Sequence, residues 1–168
     1  AFEVSIITVT FIPMKFTNHT KETAPKASKP VLEQIEKKYG FIPNLFGIFA
    51  ESPLASAAYP QLNSLIEEKA ALSPQEQQIT MLAMSAENEC DYCMAAHTMI
   101  GKMSKVPEET IQFIRDGKMP EDSKHAALVR FSQSMVKHRG WIPEEEKKAF
   151  LDAGYTNQHV LDIITIMA

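Results

Sequence analysis

The chain should fold as an all-α domain of about eight helices. Apolar residues recur at helical spacing from Pro30 onward, and Pro and Gly fall where such helices would begin and end. No window shows the sustained apolar/polar alternation, bounded by hairpin turns, that strands require. A length of 168 residues suits one ordinary domain, able to bury a core without disulfide staples. Residues 1–29 form an expected N-terminal extension or lead-in, and residues 30–168 the helical domain.

The first expected helix, "SKPVLEQIEKKYG", has Pro30 in its first turn, apolar Val31, Leu32 and Ile35, and Gly40 as its stop. A short apolar segment, "NLFGIFA", follows Pro43. In "ESPLASAAYPQLNSLIEEKAAL", Ser52 is placed to cap and Pro53 to open a helix, and Pro60 should kink or split it. "LSPQEQQITMLAMSAEN" carries a capping box, with Ser73 receiving the Glu76 backbone N–H and the Glu76 side chain reaching back. The next helix runs to about Met103. Helices over "VPEETIQFIRDG", "EDSKHAALVRFSQSMVKHRG", "IPEEEKKAFLDAG" and "TNQHVLDIITIMA" complete the series, the last stopping at Ala168 inside an apolar run.

Composition excludes several functions. A net charge of −4, with 17 scattered Lys and Arg, does not suit a nucleic-acid partner. No apolar run approaches the length needed to span a bilayer. The N-terminal "AFEVSIITVTFIPM" lacks a basic n-region and a small-residue cleavage pattern, so it makes a poor signal peptide. It looks like a strand or an appended tail, with the native start expected at Met14. A cytoplasmic protein is the resulting expectation.

Both cysteines lie in one short stretch, "ENECDYCMAAH", as Cys90 and Cys93, with His97 four residues after the second. On a continuous helix Glu87, Cys90, Cys93 and His97 would share an arc of about 120°. A break near Asn88 would instead put both cysteines in the first turn of a new helix, where unpaired N–H groups favour a thiolate. His97 can take a proton from a thiol or pass one to a departing oxygen, and Glu87 can orient the imidazole.

Rival chemistries fit less well. Zinc needs four ligands, and the motif supplies three at most, while His125, His138 and His159 stand isolated. Covalent c-type haem needs histidine directly after the second cysteine, where Met94 stands. A thioredoxin-like motif would follow a strand, and here the flanks are helical. No bound metal or cofactor is expected. Two incidental buried cysteines remain the bland alternative.

Three stretches, "GFIPNLFGIFAESP", "LSPQEQQITMLAMSAENECDYCMAAH" and "DAGYTNQHVLDIITIMA", in that order and spacing, resemble the AhpD-like branch of the carboxymuconolactone decarboxylase superfamily. The resemblance covers about Val31 to Ala168 and includes the signature Glu-x-x-Cys-x-x-Cys-x-x-x-His. It implies an AhpD-like helical bundle, a homo-oligomer (dimer, trimer or hexamer), and thiol-dependent reduction of hydroperoxides with an external dithiol or lipoyl-type reducing protein. It also implies Cys93 as the attacking thiol, Cys90 as its resolving partner and His97 as the proton relay. Well-studied relatives carry a glutamate twelve residues before the first cysteine, where this chain has Gln78, so Glu87 would have to supply any carboxylate. Tyr92 stands between the cysteines, where some relatives have histidine, and a tyrosine is a poor base at neutral pH. A lactone decarboxylase, which needs no cysteine pair, and a redox-sensing oligomer are the alternatives.

Overall fold

The computed structural model describes residues 15–168, so the expectations for residues 1–13 and for a start at Met14 lie outside the described residues. Among the described residues the regular structure is all helical, in nine helices. They are α1 (Lys29–Tyr39), α2 (Asn44–Phe49), α3 (Pro53–Lys69), α4 (Pro74–Glu87), α5 (Asp91–Met103), α6 (Glu108–Arg115), α7 (Ser123–Lys137), α8 (Glu144–Asp152) and α9 (Asn157–Met167). The chain divides into two compact units, with the boundary along the sequence at Leu62/Asn63, within α3.

In the first unit, Ala24, Leu32, Ile35, Phe46 and Ala50 form a buried cluster, with Tyr39 and Tyr59 packed against it. The lead-in before α1 is tied to α2: the His19 backbone N–H donates to the Gly47 carbonyl at 3.1 Å, and Asn18 Nδ2 donates to Asn44 Oδ1 at 2.9 Å. Gly47 permits this approach, since a Cβ there would lie 2.9 Å from the His19 carbonyl oxygen. Ser52 caps α3 as its position suggests, accepting the Ala55 N–H at 3.3 Å. Pro60 lies inside α3 without splitting it. A proline forfeits a single intrahelical hydrogen bond, and here the helix continues through that loss.

In the second unit α4 is central, packing against α5, α6, α7 and α9. Its inward residues Ile79, Leu82 and Ala83 are fully buried, alongside Ile111 and Ile114 of α6, Leu128, Val129 and Phe131 of α7, and Ile163 of α9. Burying each such large side chain stabilises the fold by about 1.5–3 kcal/mol. Phe131, Phe150 and Tyr155 form a continuous stack, with ring centroids 4.1 and 4.3 Å apart. The outer face of α9 keeps Leu161 and Ile164 exposed.

The expected capping box at the start of α4 is present in full. Glu76 Oε2 accepts the Ser73 N–H at 2.9 Å, while Glu76 Oε1 receives the Tyr155 hydroxyl at 3.1 Å and the Lys124 ammonium at 2.9 Å. One buried carboxylate thus joins α4 to α7 and to the loop before α9. Burial pushes its carboxyl up, but the hydrogen bonds from Lys124 and Ser73 outweigh this and hold it at about 2. Burial and the neighbouring Glu76 carboxylate push the Tyr155 phenol well above its ordinary range.

Because the Glu76 pKa is lowered from an ordinary 4.5, its contribution should be complete above about pH 4.5 and disappear as pH falls toward 2. Glu76→Ala should cost about 2–4 kcal/mol in urea denaturation at pH 7, from loss of the cap and of charged hydrogen bonds. The gap between the variant and the parent should narrow as pH falls from 4.5 through about 2.

Candidate active site

The site forms where α4 ends and α5 begins. The Glu89 N–H donates to the Ala86 carbonyl at 3.1 Å and the Cys90 N–H to the Ser85 carbonyl at 3.0 Å, the paired closure that terminates a helix through a left-handed residue. That residue is Glu89, at φ 50°, a conformation glycine usually supplies. Cys90 then serves as N-cap of α5, its Sγ accepting the Cys93 N–H at 3.3 Å. The chain therefore breaks at Asn88, and the continuous helix that would carry Glu87 beside His97 does not form.

Cys90 and Cys93 are joined as a disulfide, their Cα atoms 5.4 Å apart. Both are partly exposed, and Tyr92 beside them is 45% exposed. His97 lies one helical turn after Cys93, on the adjoining face of α5. Its Nδ1 meets Gln78 Oε1 at 3.0 Å. An amide oxygen can only accept, so Nδ1 carries the proton and Nε2 keeps a free lone pair. Burial lowers the imidazole from its ordinary 6.5 to about 4. At neutral pH His97 is thus an uncharged base of fixed tautomer.

Of the residues singled out from the sequence, the structure brings together Cys90 with Cys93 and Gln78 with His97. Glu87 is the last residue of α4, partly buried, and no hydrogen bond joins it to His97 among the described residues. Of the two candidates for orienting the imidazole, Gln78 and Glu87, the amide of Gln78 is the one that meets it.

Two further glutamines support this geometry without having stood out in the sequence. Gln75 Nε2 donates to the Lys105 carbonyl at 2.8 Å, tying the start of α4 to the turn after α5. Gln77 Nε2 donates to the Leu72 carbonyl at 3.0 Å and the Ile66 carbonyl at 3.4 Å, fixing the entry to α4. The run "QEQQ" is polar and gives no indication that each side chain has a different partner. Among the described residues no group of three or more His, Cys, Asp and Glu converges to hold a metal, and no helix is long and apolar enough to cross a membrane.

This arrangement is a set of packed helices with a cysteine pair opening one of them and a partly buried histidine one turn on, and known proteins share its fold. Residues 53–123, which include Gln78 and the whole cysteine motif, match the carboxymuconolactone decarboxylase family. The fold is similar to an AhpD-core peroxidase-related protein of Ralstonia eutropha JMP134, with TM-score 0.77 and 22% identity over 90% of this chain and 81% of that one. A peroxidase-related protein of Silicibacter sp. TM1040 aligns with TM-score 0.74 and 18% identity, over 86% of this chain and 77% of that one. The debrominase Bmp8 in complex with 2,3,4-tribromopyrrole aligns with TM-score 0.75 and 16% identity, over 93% of this chain and 83% of that one. No curated protein sequence matches the chain. The fold is thus that of AhpD-core proteins, and the stretch that holds the cysteine motif is similar to the carboxymuconolactone decarboxylase family.

The histidine state is directly measurable. By NMR titration His97 should stay neutral down to about pH 5 and protonate near 4. Gln78→Glu places a carboxylate against Nδ1 and should raise that midpoint by about 1–2 units. An unmoved midpoint would mean that Gln78 does not face the imidazole in solution.

Proposed function

We propose that the protein is a thiol-dependent peroxidase that reduces hydroperoxides through a Cys90/Cys93 dithiol–disulfide cycle. The observation that carries this reading is the disulfide at the opening of α5, one turn from a partly buried, neutral histidine. His97 Nε2 takes the proton of the Cys93 thiol, and the thiolate attacks the O–O bond. The departing alkoxide receives that proton, leaving a sulfenic acid on Cys93. Cys90 attacks this sulfur, water leaves, and the disulfide forms. An external dithiol or lipoyl-bearing protein then restores both thiols. Assembly into a homo-oligomer belongs to the same proposal.

An uncharged base suits the first step, because a histidine protonated at neutral pH could not accept the thiol proton. Gln78 contributes orientation only, since an amide does not exchange a proton in this range. Activity should therefore depend on the lone pair of His97 rather than on a carboxylate relay.

The test is hydroperoxide consumption with dihydrolipoamide as donor. Cys93→Ser should abolish turnover, and His97→Ala should lower it by about 10²–10⁴-fold. Consumption by Cys93→Ser at the parent's rate would end the proposal. Gln78→Glu completes the set: an unchanged rate means that a carboxylate at this position adds nothing to the relay, and a faster rate means that the amide limits it.

A further inference from the structure

The two sulfurs of the disulfide have different surroundings, and the difference bears on how the bond is reopened. Cys90 Sγ sits over the open end of α5 and accepts the Cys93 N–H at 3.3 Å. Its backbone is fixed at the same time, because the Cys90 N–H is committed to the Ser85 carbonyl at 3.0 Å and the Cys90 carbonyl accepts the Met94 N–H at 2.9 Å. Cleaving the S–S bond removes none of these contacts. A thiolate formed on Cys90 would keep an N–H donor and the positive end of the helix.

Cys93 lies inside the first turn of α5. No hydrogen-bond donor is directed at its sulfur among the described residues. The ionisable side chain one turn on, His97, is a neutral imidazole whose Nδ1–H is taken by Gln78, so it brings no positive charge to a Cys93 thiolate. Both cysteines are partly exposed, which leaves the stability of the departing thiolate to decide between them.

Resting on the thiol-redox reading above, we infer that an incoming reductant attacks Cys93 Sγ and that Cys90 is the leaving thiolate. In the first step a thiolate of the dithiol bonds to Cys93 Sγ, the Cys90–Cys93 bond breaks, and its electron pair goes to Cys90 Sγ. The reductant is then held as a mixed disulfide on Cys93. Its second thiol loses a proton and attacks the reductant's own first sulfur. That step closes a cyclic disulfide and returns an electron pair to Cys93 Sγ, which takes up the proton. The dithiol loses two electrons and the cysteine pair gains them. The same polarity serves the oxidative half, in which Cys90 is the stabilised thiolate that attacks the Cys93 sulfenic acid.

The oxidised full-length chain, mixed with excess 2-mercaptoethanol and quenched rapidly in acid with alkylation, reports the partition directly by peptide fragmentation. The mercaptoethanol adduct should sit on Cys93, with Cys90 alkylated, in an excess on the order of tenfold. An adduct on Cys90, or an even split, overturns the inference. A second measurement does not require trapping: the pH dependence of iodoacetamide alkylation should place the Cys90 thiol of Cys93→Ser at a lower midpoint than the Cys93 thiol of Cys90→Ser. The opposite order, or equal midpoints, also overturns it. Neither measurement contains peroxide, so absence of hydroperoxide turnover would refute the peroxidase reading while leaving this partition standing.

Discussion

Cys90 belongs to two helices at once, and the geometry of the site follows from that. Its backbone N–H closes α4 on the Ser85 carbonyl, and its sulfur caps α5 through the Cys93 N–H. The turn between them is only Asn88 and Glu89, with Glu89 held at φ 50°. A non-glycine residue in this conformation costs on the order of 1 kcal/mol. The strain falls where the chain must reverse tightly enough to bring α5 back against α4, which places His97 opposite Gln78, nineteen residues earlier.

The other end of α4 is fixed as firmly. Four consecutive residues each take a different partner: Gln75 the turn after α5, Glu76 its own cap together with Lys124 and Tyr155, Gln77 the chain entering the helix, and Gln78 the histidine. Successive helical residues point 100° apart, so a run of four polar side chains can address four directions from one turn. The site depends on this rigidity, because a histidine is useful as a base only while its tautomer is held.

Much of this was legible in the sequence. Helix boundaries followed from Pro30, Gly40, Ser52, Ser73 and Pro107, whose backbone and capping chemistry is local. The cysteine motif marked the site because sulfur and imidazole at that spacing have few other uses. What stayed hidden was non-local or atypical. Glutamate carries no signal for a left-handed turn, so the break after Asn88 could be placed only approximately, and the position of Glu87 relative to His97 hung on it. Pro60 was expected to kink or split α3, and the helix is not split there. Whether Gln78 or Glu87 would hold the imidazole depends on how α4 and α5 pack, which no local pattern records.

The central claim is that one peroxide molecule consumes both thiols of this pair within a single chain. Mass spectrometry of the fully reduced protein after one equivalent of hydroperoxide tests it most directly. The account predicts loss of two thiols per chain, an intramolecular Cys90–Cys93 disulfide, and no gain of oxygen. A persistent oxygenated cysteine, a disulfide between chains, or two free thiols remaining would contradict it.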